Sequence, residues 1–106
     1  MNLQHGDVLI KKVTALPTGA KPVQAEGRLI VMRGEQTGHN HVIVSDKAKL
    51  YELTKDGVTE RYLEVLEPVT ITHEEHKALP IPEGIYQIGR VQEYDYFREM
   101  ARQVKD

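Results

Sequence analysis

The chain has 106 residues, with 14 Lys and Arg against 16 Asp and Glu, five histidines and no cysteine. That length supports one modest hydrophobic core, so residues 1–106 are expected to form a single domain. The near-neutral balance lacks the cationic surplus that drives non-specific nucleic-acid binding, and the absence of cysteine removes disulfides, thiolate zinc sites and a Cys nucleophile. Residues 1–7 carry no charged-then-apolar leader, and no run approaches the roughly 18 apolar residues of a membrane span, so a cytoplasmic protein without a membrane partner is expected.

In chain order, Gly6-Asp7 marks a turn and residues 8–13 a first strand, which ends where Pro17, Gly19 and Pro22 accumulate. Residues 14–27 read as a loop with at most a short edge strand near Val23. Residues 28–32 form a continuous apolar run of strand length, after which Gly34 and Gly38 permit a turn or bulge ahead of a strand over 41–44. Residues 49–53 and 58–66 make a hairpin around Asp56-Gly57, a pair that tolerates the positive φ angles of a tight turn. Pro68 separates it from a strand that puts Val69, Ile71 and His73 on one face. Residues 81–84 turn into a last strand over 85–91, with Gly89 as a bulge position.

About seven short strands punctuated by turns predict an all-β protein, a small antiparallel barrel or sandwich. Only the tail departs from the pattern. From Asp95, an N-cap residue type, the apolar residues Phe97, Met100, Ala101 and Val104 have helical spacing, which predicts one short C-terminal helix over 95–104.

Four histidines fall into two clusters. In Gly38-His39-Asn40-His41-Val42-Ile43-Val44, strand alternation points His39 and His41 to one face and Val42 and Val44 to the other. His73 and His76 lie about thirty residues on, and both reach one ion only if Glu74 and Glu75 form a turn. His-x-His on a strand offers two imidazole nitrogens to a divalent first-row ion such as Zn, Mn, Ni or Fe, and a neighbouring strand supplies the third ligand. His73 is that third ligand if its strand pairs beside Val42. The expected metal ligands are therefore His39, His41, His73 and His76, with Glu74 and Glu75 as acceptors for ring N–H groups or as solvated turn charges. His5 stands alone near the start and reads as a surface or hydrogen-bonded core residue. The spacing His73-Glu74-Glu75-His76 is not His-Glu-x-x-His, so a zinc-protease motif is absent.

Gly34-x4-His39-x-His41-x4-Asp46 resembles the first cupin motif, and Pro82-Glu83-Gly84 is similar to the Pro-x-Gly turn of the second. The resemblance covers residues 34–91. The spacing after Gly34 is one residue short, Asp46 stands where Glu is usual, and Gln87 occupies the position of the last metal-binding histidine. The resemblance implies a small barrel holding a divalent metal at its mouth and a cupin-type enzyme acting on a small molecule, with His73 or His76 replacing the lost histidine. The whole chain also resembles small phage and bacterial proteins with the same Gly-His-x-His and His-x-x-His layout, which implies no activity.

Two other classes compete with the metal centre. Paired histidines without metal serve as base and acid in a phosphoester hydrolase, since imidazole titrates near neutral pH. Alternatively the chain is an oligomeric accessory module with structural histidines, in which the tail helix, through Tyr96, Phe97, Met100 and Val104, docks on a second copy. Lys11 and Lys12 read as a solvated strand end, and Arg90, Tyr94 and Tyr96 as packing residues before they read as a nucleic-acid surface. Ser45, the only serine, lies in no nucleophile motif.

Overall fold

The structure, a computed structural model, describes residues 2–23, 27–33 and 40–90. Every regular element among them is a strand: β1 (Asn2–His5), β2 (Val8–Val13), β3 (Lys21–Pro22), β4 (Leu29–Arg33), β5 (Asn40–Ile43), β6 (Ala48–Lys55), β7 (Val58–Val65), β8 (Val69–Thr72), β9 (Leu79–Ile81) and β10 (Gly84–Arg90). All pairings are antiparallel, and they make two sheets, one ordered β1-β2-β10-β7-β6-β3 and the other β4-β5-β8-β9. The all-β expectation holds, as two open sheets; among the described residues the strands do not close into a barrel. The expected helix over 95–104, with Tyr94 and Tyr96, lies outside the described residues. No helix among the described residues is long and apolar enough to cross a membrane.

Local chemistry accounts for the hairpins. Asp56 and Gly57 have φ of 54° and 78°, so Lys55 pairs with Val58 across a two-residue turn with both central residues in the left-handed region. At the other hairpin Gly6 alone is left-handed, at φ 59°, and His5 pairs with Val8. Two strands, β1 and β9, go beyond the sequence expectation, and a third, β3, meets it. β1 is the N-terminal arm of that hairpin, β3 is the two-residue form of the edge strand expected near Val23, whose N–H donates to Leu50 O at 2.8 Å, and β9 contains Pro80, tolerated because β9 is a sheet edge.

Period-two burial then places one core between the sheets. Val8 and Ile10 of β2, Leu63 and Val65 of β7, and Tyr86 and Ile88 of β10 face Val31 of β4, Ile43 of β5, Val69 and Ile71 of β8, and Ile81 of β9 in one buried cluster. The β4–β5 register shifts between Ile30 and Met32, and there the alternation breaks so that Val31 and Met32 are both buried. Arg61 on β7 ties the sheets together, donating to Glu52 at 3.3 Å and to Val31 O on β4 at 2.9 Å. The ends of β1, β8 and β10 and the start of β5 meet at one mouth of this sandwich, where the histidines gather.

Candidate metal centre

Four of the five histidines meet there. The ring centroids of His41 and His73 are 4.4 Å apart, those of His73 and His76 4.7 Å, and those of His5 and His41 5.0 Å; the widest separation, His5 to His73, is 6.4 Å. Strand pairing explains the first contact. β5 and β8 pair with Val42 opposite Thr72 and Ile43 opposite Ile71, and one further step along that ladder sets His41 against His73. The chain bends over residues 74–76, where the Glu75 N–H donates to His73 Nδ1 at 3.0 Å, and the bend returns His76 to the cluster. Glu74 and Glu75 are exposed.

His5 is the member that the sequence pattern does not single out. It closes β1 opposite fully buried Val8, which turns its side chain inward, and it is 3% exposed, beside His41 at 2%. The available signal is the two-residue turn Gly6-Asp7: a hairpin of that length fixes His5 opposite Val8, the first inward residue of β2. Gly6 serves the cluster a second way. A Cβ built on Gly6 would lie 2.5 Å from His76 Nε2, so the His76 ring occupies the space that a larger residue would fill.

His39, with Gly34 and Gly38, lies outside the described residues. Gln87, which stands where the cupin motif carries its last histidine, sits mid-strand in β10 opposite Lys11 and Tyr62, and Asp46 is exposed in the bend after β5. Ser45 Oγ accepts from the Lys47 N–H at 3.0 Å, a local turn bond. Arg90 pairs with Asp7 at 3.1 Å.

The hydrogen bonds fix the tautomers. His5 Nε2 is 2.7 Å from Lys77 O, and His41 Nε2 is 3.1 Å from Asp7 Oδ1. A carbonyl and a carboxylate only accept, so each Nε2 carries the hydrogen and donates it. In neutral rings both Nδ1 atoms are then bare lone pairs, and they face one another at 2.9 Å. Three contacts run in series from Lys77 through His5 and His41 to Asp7, and two neutral imidazoles hold only two hydrogens. The facing Nδ1 atoms therefore share no hydrogen, and a proton or a metal ion between them would bond to both. Burial opposes the proton first, and the neighbouring imidazoles His73 and His5 add to it; together they hold His41 down to about 4 against the pull of Asp7. Burial also lowers His5, with His76 and His73 adding to it and the bond to Lys77 opposing. Among the described residues no three His, Asp or Glu side chains converge at metal-ligand spacing.

A family model described as a domain of unknown function (DUF8820) matches residues 4–91, a span that holds all five histidines, Asp7 and Arg90. No curated protein and no solved structure matches the chain.

Proposed function

The chain belongs to the DUF8820 family, and we propose that it binds one divalent first-row transition-metal ion through Nδ1 of His5 and Nδ1 of His41, with His73 and His76 completing the ligand set. The observation that carries this reading is the 2.9 Å approach of two lone pairs whose rings are both committed, at the far nitrogen, to acceptors. An ion accepts both lone pairs and leaves both Nε2–H bonds intact. Donation of the outer ring N–H to a carbonyl and to a carboxylate is also the arrangement that orients metal-bound imidazoles. At metal–nitrogen bonds of about 2.1 Å, tetrahedral ligands stand about 3.4 Å apart, so the facing pair needs to open by only about half an ångström. An all-imidazole set suits zinc, nickel, copper or iron better than manganese or magnesium.

His5 and His41 are buried, whereas His73 is half-buried and His76 exposed. An ion held by the buried pair and His73 keeps a coordination position toward solvent whenever exposed His76 stands off it, as reactive three-ligand zinc-type centres do and closed four-ligand ones do not. That asymmetry supports a metal-dependent enzyme acting on a small molecule. In the metal-free two-histidine hydrolase, burial opposes His41 as the imidazolium that serves as acid at neutral pH.

Elemental analysis of untagged protein tests the reading. We expect about one ion per chain, lost in His5→Ala and in His41→Ala, because each variant removes one of the two fixed donors. Wild-type protein that holds no metal above buffer, and takes up none of zinc, nickel, copper, iron or manganese, would overturn it.

A further inference from the structure

Asp7 and Arg90 are two charged groups beside the histidines that the ligand set does not use. Asp7 sits in the β1–β2 turn and its side chain is 44% exposed, a setting in which a carboxylate ordinarily faces water. Here each of its oxygens is assigned. Oδ1 accepts from His41 Nε2 at 3.1 Å, and Oδ2 accepts from Arg90 NH1 at 3.1 Å. Arg90 in turn is placed from two sides. Its backbone pairs with Val8, the residue after Asp7, and its NH2 donates to Arg33 O, at the end of β4 in the other sheet, at 3.4 Å. The guanidinium therefore spans the mouth between the sheets with the carboxylate held against it.

We infer that Arg90 is a positioning residue, which locks Asp7 in place and through Asp7 fixes His41 in the tautomer that offers Nδ1, rather than Nε2, to the ion. The inference rests on the metal reading for its effect on binding, while its effect on the His41 tautomer stands without any metal. Released from Arg90, Asp7 rotates toward water and His41 Nε2 loses its acceptor. The ring is then free to exchange tautomers or to flip, and the Nδ1 facing His5 is no longer guaranteed. Only a forked cation can hold both partners, because two separate nitrogens of Arg90 reach Asp7 and Arg33 O at once, whereas a lysine ammonium reaches one of them.

Two readouts on the metal-free full chain and its zinc titration decide the matter. Long-range ¹H–¹⁵N spectra with labelled histidine, taken where the rings are neutral, are expected to show His41 as a single Nε2–H tautomer in the wild type and as a mixture in Arg90→Ala and Asp7→Ala. Zinc affinity is expected to fall by about 10- to 100-fold in both variants, with Arg90→Lys in between. Arg61→Ala is the control, because Arg61 also ties the two sheets but through bonds to Glu52 and Val31 O; it should leave tautomer and affinity unchanged. An Arg90→Ala protein with wild-type tautomer and wild-type zinc affinity overturns the inference, as does an equal loss of affinity in Arg61→Ala. Should Arg90→Ala fail to fold, Arg90→Lys carries the same two readouts. If the wild type binds no zinc the metal reading fails, yet the tautomer spectra still decide whether Arg90 positions His41.

Discussion

His5 Nδ1 lies 2.9 Å from His41 Nδ1, and the two rings come from different sheets, His5 from β1 and His41 from β5. An ion between them would thus be a cross-link at the open mouth of the sandwich. Metal should stabilise the fold by mass action, by about 2.7 kcal/mol at a free concentration one hundredfold above Kd. Thermal unfolding with zinc and with chelator measures this. His5→Ala and His41→Ala should each abolish the zinc-dependent rise in Tm, and the double variant should add nothing further to that loss, since the two donors act as a unit.

The metal-free protein should lose stability as pH falls through the histidine range. His41 is lowered from 6.5 to about 4, chiefly by burial, and His5 moves in the same direction. Below the unfolded value of 6.5 the unfolded chain takes up the proton that the folded chain refuses, so it binds more protons across the window from 6.5 to about 4. Stability therefore rises with pH inside that window and is indifferent to these groups above it. Urea unfolding of metal-free protein at about pH 5 and about pH 7.5 should show the drop, and His41→Leu should flatten it. An unchanged midpoint between the two pH values in the wild type would contradict the burial of these rings as neutral groups.

Strand alternation makes part of this site legible in the chain. It puts Val69, Ile71 and His73 on one row, and it makes His73 a neighbour of His41 on the condition that β8 pair beside Val42, which it does. His76 joins on a second condition, a turn at Glu74 and Glu75, and the chain does bend there. His5 is not legible in the same way, because its partner lies in the other sheet and sheet-on-sheet packing leaves no periodic mark in the sequence. Arg90 reads as a packing residue in the sequence because its ion pair with Asp7 spans 83 positions of chain. The hairpin at Asp56-Gly57 is readable because backbone chemistry there is local. The choice between barrel and sandwich is not, since it depends on which strand edges meet.

Tyr86 offers a test of the core that leaves the metal site alone. Its side chain is fully buried in β10, and its hydroxyl donates to Pro82 O at 2.7 Å. Tyr86→Phe keeps the ring and removes the donor, leaving a carbonyl without that partner. The expected cost is about 1–2 kcal/mol in urea unfolding. Zinc affinity should not change, and a parallel loss of affinity would mean that the mouth of the sandwich is coupled to the core more tightly than the contacts indicate.

Gly6 and Gly57 separate backbone strain from ligand placement. Both have left-handed φ, 59° and 78°, so an alanine at either position costs roughly 1–2 kcal/mol of conformational strain. Nothing lies within 4 Å of a Cβ at Gly57, whereas a Cβ at Gly6 would meet the His76 ring at 2.5 Å from Nε2. Because the obstructing atoms are the far end of a side chain on an exposed bend, the ring can swing away without unfolding the hairpin. Gly57→Ala should therefore lower stability alone. Gly6→Ala should lower it by a similar amount and, in addition, move His76 off the cluster and weaken zinc binding. Isothermal titration of zinc into the two variants, normalised to their folded fractions, checks this. Equal zinc affinity in Gly6→Ala and Gly57→Ala would remove His76 from the ligand set and leave His5, His41 and His73 to hold the ion.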